Sequence, residues 1–184
     1  MNESLKSDEY IVYHAITERP MTVGQTIIFD SEHHNGVYNR IMTCKQILDG
    51  ENPQGELADF IRSDIFNWIG TTFRELAMER VRASEYPQHP SRLSCLYTAK
   101  TFDEAKNWAL FFKRVGRKTF GVAKIRVEGE VFEGLATNCF DGTTDMNANT
   151  ERARHYWSNG QSEDPPITEV LASGLLTVLE ITEV

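Results

Sequence analysis

The stretch YIVYHAITERPMTVGQTIIFD, residues 10–30, predicts two β-strands separated by a turn. β-Branched and aromatic side chains fill residues 10–15, and this run stops at a Glu-Arg-Pro turn signal at residues 18–20. Residues 25–29 form a second short apolar run just after a glycine. The first run carries one ionisable ring, that of His14, among apolar neighbours. A strand bearing a single functional side chain is therefore predicted near the start of the chain.

Two later apolar runs carry functional side chains in the same way. SRLSCLYTAKTFDEAKNWA, residues 91–109, contains Tyr97 within a predicted strand over residues 92–99. ITEVLASGLLTVLEI, residues 167–181, has Glu169 near its start and a glycine turn signal inside it. The chain therefore presents an imidazole, a phenol and a carboxylate in that order, each on a short apolar segment.

Hydrophobic periodicity assigns the segments between these runs. Strands dominate both ends of the chain and helices fill the middle, so the predicted fold class is α+β. The long polar stretch over residues 137–166 is predicted to be a loop with a binding function. A loop is predicted over residues 30–36. Two helical segments follow: an amphipathic helix over 56–83, continuous or broken near Gly70, and a helix that runs from a cap at Thr101 or Asp103 to Lys113. The remaining predicted elements are a strand over 119–127, a Glu128-Gly129 turn, a strand over 131–135 that pairs with the strand before it, and a strand–turn–strand unit from Glu169 to Val184 that turns at Gly174.

The composition indicates which classes of protein the chain can belong to. With 184 residues, of which 40% are hydrophobic and 25% charged, the chain is predicted to form one globular domain over residues 1–184. Its formal net charge of -8 disfavours a broad, non-specific grip on nucleic-acid phosphates. The apolar runs are shorter than the roughly 20 residues that span a membrane, and the polar start has no signal-peptide pattern. We therefore expect a cytoplasmic protein with no membrane partner.

Neither the cysteines nor the histidines predict a metal site. Cys44, Cys95 and Cys139 are odd in number and widely spaced, which argues against a disulfide framework, and they form no CxxC pair for zinc. Cys95 lies in an apolar run and is predicted to be a small core residue. The His33-His34 pair lies in a polar stretch without an organised distant partner, so a mobile surface loop is favoured over a metal site.

The three apolar runs resemble the signature segments of compact bacterial ADP-ribosyltransferases, including those that modify rifampin. The sequence Tyr-His-Ala-Ile at residues 13–16 is similar to their opening Tyr-His-Gly-Thr strand. Residues 96–99, followed by a helix that carries Trp108, resemble their second motif, in which a strand ending in tyrosine leads into a short helix. Glu169, with the glycine and strand that follow it, resembles their third motif, in which a glutamate opens a strand.

The resemblance implies an ADP-ribosyltransferase-like fold, in which split β-sheets surround a central cleft and helices flank them. It also implies NAD as the cosubstrate, cleaved at its nicotinamide–ribose bond, with transfer of ADP-ribose to an unidentified protein, nucleic acid or small molecule. Such cleavage develops positive charge on the sugar, as glycoside cleavage does. In the family's terms, Glu169 stabilises that charge, Tyr97 stacks on the nicotinamide ring and His14 binds a ribose hydroxyl.

The resemblance further implies contacts with the rest of NAD. The backbone of the first strand, at Ala15, holds the carboxamide. Arg92, which starts the Tyr97 strand, is the first choice for the pyrophosphate because a guanidinium suits bidentate phosphate contact. The secondary assignments are Arg19 and Arg40 as other pyrophosphate ligands, Tyr156 and Trp157 as acceptor contacts, and Glu180 and Asp164 as other candidates for the carboxylate.

Other interpretations stay open. Ala15-Ile16 replaces the small Gly-Thr or Gly-Ser pair of the family, so the methyl group of Ala15 crowds the nicotinamide and Ile16 offers no hydroxyl. The second hypothesis is therefore a catalytically inactive protein of the same fold that binds a nucleotide or a protein partner. The third is a purely structural or interaction protein. Taken singly, His14 and Tyr97 also fit ordinary core residues, and Glu169 fits a solvated strand start.

Overall fold

The computed structural model describes residues 9–162 and 164–184. Within them the chain forms seven β-strands, five α-helices and one 3₁₀ helix, so the predicted α+β class is confirmed. No helix in this described part has the length and apolar character of a membrane span. In chain order the elements are β1 (Glu9–Thr17), β2 (Thr26–Phe29), α1 (Gly36–Leu48), α2 (Glu56–Ser63), α3 (Ile65–Glu85), β3 (Leu96–Thr98), α4 (Phe102–Arg114), β4 (Thr119–Glu128), β5 (Val131–Leu135), the 3₁₀ helix (Ala136–Asn138), α5 (Met146–Trp157), β6 (Thr168–Ala172) and β7 (Gly174–Thr182).

The strands form two antiparallel sheets. The first sheet has four strands in the order β1-β4-β7-β2, and the second has three in the order β3-β6-β5. An isolated bridge between Tyr13 of β1 and Ala99, just after β3, joins the two sheets. The Tyr13 N–H donates to the Ala99 carbonyl at 2.9 Å, and the Ala99 N–H donates to the Tyr13 carbonyl at 2.7 Å. The sheets therefore meet directly beside His14.

The chain passes between the two sheets at two adjacent points. It leaves β4 at Glu128 to enter β5 of the second sheet, and it leaves β6 to enter β7 of the first sheet through Ser173. Gly174 has a φ of 95°, and a Cβ built there would lie 2.5 Å from the Glu128 carbonyl oxygen. Only glycine fits such a contact and dihedral. The predicted pairing of β5 with the strand before it is wrong, because β5 pairs with β6.

Many of the buried apolar side chains form three clusters. The first packs the four-stranded sheet against Val170 and Ala172 of β6, and the second packs α3 and α5 against the three-stranded sheet and includes Cys95, as predicted. In the third, Ala105 and Ala109 of α4 contact Ala15 and Val122 of the first sheet. These short side chains let α4 lie close to β1. The helix is thereby held against one wall of the space between the sheets.

Helix α4 begins where the sequence predicts. The Thr101 hydroxyl oxygen accepts a hydrogen bond from the Glu104 N–H at 3.3 Å, and the Glu104 carboxylate accepts one from the Thr101 N–H at 2.9 Å. This reciprocal arrangement is a capping box, which satisfies two N–H groups that a helix start otherwise leaves unpaired. Of the two caps that the sequence predicts, Thr101 and Asp103, the structure shows Thr101.

Helix α1 was not predicted. The polar loop predicted over residues 30–36 ends at Asn35, whose Oδ1 accepts from two N–H groups of the first helical turn, at 3.0 and 3.2 Å. The Nδ2 group of Asn35 donates to the carbonyls of Arg92 and Cys95, which ties the helix start to the segment before β3. Of the helix side chains only Ile41 and Cys44 are buried.

The predicted helix over residues 56–83 is two helices, and the break lies at Asp64 rather than near Gly70. Asp64 has a φ of -141°, which is not helical, whereas Gly70 lies inside α3. The loop predicted over residues 137–166 is also partly wrong, because it contains α5, which Asp145 caps by accepting from two N–H groups of the first turn.

Candidate functional site

His14, Tyr97 and Glu169 line one cavity of about 310 Å³. His14 comes from β1 of the first sheet, whereas Tyr97 and Glu169 come from β3 and β6 of the second. Tyr97 pairs with Leu171, two residues after Glu169, so the side-chain alternation of a strand puts Tyr97 and Glu169 on the same face. Three segments that are distant in sequence therefore contribute to the same hollow between the sheets.

The imidazole of His14 is held by the strand opposite it. Its Nδ1 lies 2.8 Å from the Tyr97 carbonyl oxygen, which can only accept, so Nδ1 carries the hydrogen. Burial lowers the pKa of His14, against the opposing effect of this hydrogen bond. The ring is therefore neutral near pH 7, and Nε2 presents a lone pair. Such a nitrogen accepts a hydrogen bond from a hydroxyl group.

The ring of Tyr97 is fixed at both ends. Its backbone belongs to β3, and its hydroxyl donates to the Arg92 carbonyl oxygen at 2.9 Å. Burial raises the pKa of this hydroxyl well above its ordinary value, so it stays protonated. The Arg92 guanidinium carbon lies 5.2 Å from the ring centroid. Tyr97 thus offers the cavity a rigid aromatic surface rather than an ionisable group.

The carboxylate of Glu169 is held through one of its two oxygens. Oε1 accepts from Arg92 Nη1 at 2.9 Å and from the Tyr156 hydroxyl at 2.7 Å. Among the described residues no hydrogen bond reaches Oε2, and the side chain, 12% exposed, lines the cavity. Oε2 is therefore the oxygen available to a ligand. Neither alternative carboxylate, Glu180 or Asp164, lines this cavity.

Arg92 does not lie where the sequence interpretation puts it. It is buried beneath the cavity and does not line it; its Nε donates to Glu75 Oε2 at 3.1 Å, and its Nη1 contacts Glu169 and Tyr156. Burial by itself would lower the pKa of Arg92, but the surrounding acidic groups, Glu75 foremost, hold it well above the ordinary value. A guanidinium so enclosed is not available to a pyrophosphate.

Two arginines line the cavity in place of Arg92. Arg40, a secondary choice from the sequence, lies on α1, and Arg117 lies in the turn before β4. Both approach the carboxylate of Glu18: Arg117 Nη2 lies 2.7 Å from Oε1 and Arg40 Nη2 lies 3.6 Å from Oε2. Arg19, the other secondary choice, is exposed and is not among the lining residues. Two cations thus converge on one anionic group at the cavity.

Tyr156 and Trp157 were predicted to contact an acceptor from a loop, and this prediction is wrong. Both belong to α5 and are almost completely buried in the cluster between α3 and α5. The indole N–H of Trp157 donates to the Met78 carbonyl at 2.9 Å. Sequence reasoning also missed Glu75, which shares a buried helix face with Thr72 and Met78; the sequence gives little signal of this face, because Thr72 and Glu75 are both polar.

A larger cavity of about 450 Å³ lies elsewhere in the described chain and is lined by polar side chains, among them His34, Glu79 and Arg82. Glu79 and Arg82 bond each other there, with Nη2 and Oε1 2.7 Å apart. Size alone therefore does not identify the site. We place the candidate site in the smaller cavity because three separately supplied side chains meet in it.

Comparison with known proteins identifies the family. A family model described as "Protein of unknown function (DUF2441)" matches residues 12–184. The chain belongs to this family. The DUF2441 match includes His14, Tyr97 and Glu169, together with every helix and all strands apart from the first residues of β1. No curated protein matches the chain.

Proposed function

We propose that the protein is an ADP-ribosyltransferase that cleaves NAD at the nicotinamide–ribose bond and transfers ADP-ribose to an acceptor. We also propose that its two sheets correspond to the split sheets of the ADP-ribosyltransferase-like fold. The observation that carries this proposal is the meeting of His14, Tyr97 and Glu169 in one cavity between the sheets. They lie in that order along the chain, on β1, β3 and β6.

Each side chain is suited to one task in that reaction. When the glycosidic bond breaks, its electron pair goes to nicotinamide and positive charge develops on the ribose. The open Oε2 of Glu169 is a negative group for that charge or for the adjacent hydroxyl. The Nε2 lone pair of His14 accepts from a ribose hydroxyl, and the Tyr97 ring supports the cationic nicotinamide. Neither His14 nor Tyr97 needs to react covalently.

The size of the cavity suits one half of NAD. A volume of about 310 Å³ is at the lower end of the range for ligand pockets. It suits a nicotinamide riboside moiety better than a whole dinucleotide. Arg40 and Arg117, at present paired with Glu18, are the cations that would receive the pyrophosphate. They take the role that the sequence interpretation assigned to Arg92.

A second candidate function is nucleotide or partner binding without turnover. Glu169 is already paired with a buried cation, since Arg92 Nη1 lies 2.9 Å from its Oε1. This partner withdraws negative charge from the carboxylate that has to stabilise the sugar. Ala15 also lines the cavity, at the position where the ADP-ribosyltransferase motif has glycine. These two features support the second candidate; the enzyme stays our first proposal because Oε2 of Glu169 accepts no hydrogen bond from the described residues.

Two measurements test the proposal. Thermal unfolding with NAD or ADP-ribose should show a raised midpoint, because a ligand that binds only the folded state stabilises it. Nicotinamide release then separates the enzyme from the binding protein. Glu169→Gln should keep NAD binding and lose release, whereas the matched Glu180→Gln variant should keep both. An unchanged midpoint with both ligands would refute the site, and unchanged release by Glu169→Gln would refute the role of Glu169.

A Tyr97→Ala variant tests the stacking role. Removing the ring should weaken NAD binding, since an aromatic contact with a cation contributes about 0.5–2 kcal/mol. Calorimetric titration with NAD measures the change. Equal affinities for wild type and variant would refute stacking on the nicotinamide.

A further inference from the structure

Glu169 is the end of a buried chain of alternating charges. Arg74 Nε lies 3.0 Å from Glu75 Oε1, Glu75 Oε2 lies 3.1 Å from Arg92 Nε, and Arg92 Nη1 lies 2.9 Å from Glu169 Oε1. The members come from α3, from the segment before β3 and from β6. Two cations and two anions balance, so the chain has no net charge. It connects the helical layer to the cavity.

Tyr156 closes the end of this chain from α5. Its hydroxyl donates to Glu169 Oε1 at 2.7 Å and accepts from Arg92 Nη1 at 2.7 Å. The guanidinium carbon of Arg92 also lies 4.9 Å from the Tyr156 ring centroid. Oε1 of Glu169 thus receives two donors that are themselves joined. This triangle of hydrogen bonds determines the orientation of the carboxylate.

Stability alone does not explain such an arrangement. The side chains of Glu75 and Arg92 are only 1% and 7% exposed, so both charges have lost most of their hydration. Apolar residues of similar volume often give equal or greater stability than a buried ion pair. What the charged network supplies is a fixed geometry: Oε1 is occupied, and Oε2, on a side chain that lines the cavity, accepts no hydrogen bond from the described residues.

We propose that Arg92, Tyr156 and Glu75 are positioning residues that hold Glu169 in the orientation needed for sugar-cation stabilisation. This inference rests on the proposed function of Glu169. Arg92 and Tyr156 act on Oε1 directly, and Glu75 acts by holding Arg92. None of the three has to touch NAD. Their contribution is to turnover rather than to NAD affinity, because a small misplacement of a reacting group lowers the rate by up to roughly a hundredfold.

Tyr156→Phe is the test, because it removes one hydroxyl and keeps the buried ring. Nicotinamide release should show a kcat reduced roughly 10- to 100-fold, with little change in KM for NAD. The matched control is Tyr86→Phe, which removes the hydroxyl of a partly buried tyrosine beside the same cluster and should leave kcat unchanged. Unchanged kcat in Tyr156→Phe would overturn the inference. A fall in kcat no larger than the fall in folded fraction, measured by thermal unfolding, would also overturn it.

A crystal structure of Tyr156→Phe separates this inference from the proposed function. Without the hydroxyl, the Glu169 carboxylate should rotate, so that its Oε1 no longer lies 2.9 Å from Arg92 Nη1. If wild type releases no nicotinamide, the proposed enzyme fails, and a rotated carboxylate still supports the positioning role. An unmoved carboxylate overturns that role whatever the activity of wild type.

Discussion

Replacing Glu75 by Gln should destabilise the fold much more than an ordinary surface substitution. The change keeps the size of the side chain and removes its charge, so Arg92, 7% exposed, loses its closest carboxylate apart from Glu169. Breaking a buried pair by removing one partner costs about 3–5 kcal/mol. Arg74 is 20% exposed and can recover hydration, so we expect the lower end, about 3 kcal/mol. For a chain of this length that corresponds to a midpoint lowered by roughly 6–12 °C.

The matched control lies one helical turn further along α3. Glu79 pairs with Arg82, but its side chain is 31% exposed, so Glu79→Gln should cost only about 0–1 kcal/mol. Urea and thermal unfolding of both variants measure the difference. If Glu75→Gln lost no more stability than Glu79→Gln, the argument from the buried charge would be wrong.

The pH dependence of the same variant gives an independent check. Burial alone would raise the pKa of Glu75, but Arg92 and Arg74 bring it below its ordinary value of 4.5. The stability that the carboxylate contributes is therefore fully present above pH 4.5 and is lost as the pH falls through the lower, folded-state pKa. The gap between wild type and Glu75→Gln should be constant near pH 7 and should narrow below pH 4.5. A gap that widened in acid would contradict the assigned charge state.

Three further predictions concern the cavity and the helix beside it. Glu18→Gln should tighten ADP-ribose binding about threefold at low salt, because it removes the carboxylate that pairs with the two cavity arginines. Calorimetric titration with ADP-ribose measures the affinity, with Glu32→Gln as the control variant, and unchanged or weaker binding by Glu18→Gln would contradict the prediction. Thr101→Ala should lower the free energy of unfolding, measured in urea, by about 1 kcal/mol, and Thr101→Ser should change it little. An unchanged free energy in Thr101→Ala would show that the capping box contributes nothing. Burial lowers the pKa of His14 from 6.5, so the free energy of unfolding of wild type should fall as the pH drops below 6.5, by at most about 1.4 kcal/mol per pH unit. His14→Gln should lose less over the same pH range in urea unfolding. Equal losses would contradict a buried neutral ring.

Much of the fold could be predicted because many segments show a clear local pattern. Strand β4 alternates apolar and polar side chains and was predicted within one residue of its observed end. Strand β5 was predicted over its full length, and the cap of α4 at Thr101 was predicted from its residue type. The pairing of β5 was not predictable from local signals, since a turn after β4 suits a hairpin as well as a passage into another sheet.

The missed helix α5 shows where periodicity fails. In α5 the buried face contains Asn149, whose amide is satisfied by Thr143: Nδ2 donates to its carbonyl at 2.6 Å and Oδ1 accepts from its N–H at 3.0 Å. A polar residue in a core position hides the apolar stripe. The remaining signal was the cap at Asp145, followed by side chains that are buried at Ala153 and Tyr156.

The site shows the same division between local and distant information. His14, Tyr97 and Glu169 could be selected because each lies on a short apolar segment that resembles a motif of a known family. The partners of Glu169 could not be selected from the sequence, since only the packing of α5 on α3 and the second sheet brings Tyr156 to it. Arg92 has the right chemistry for a phosphate, and its burial beneath the cavity depends on contacts that no local pattern reveals.

The seam between the two sheets has a consequence for motion. Tyr13 and Ala99 exchange two backbone hydrogen bonds there, and His14 adds a third to the Tyr97 carbonyl. Any widening of the cleft has to stretch these three bonds before it disturbs the interior of either sheet. Hydrogen–deuterium exchange at the Tyr13 and Ala99 amides would therefore report separation of the walls, distinct from global unfolding. A ligand that contacts both His14 and Glu169 would hold the two sheets together and slow hydrogen–deuterium exchange at these amides.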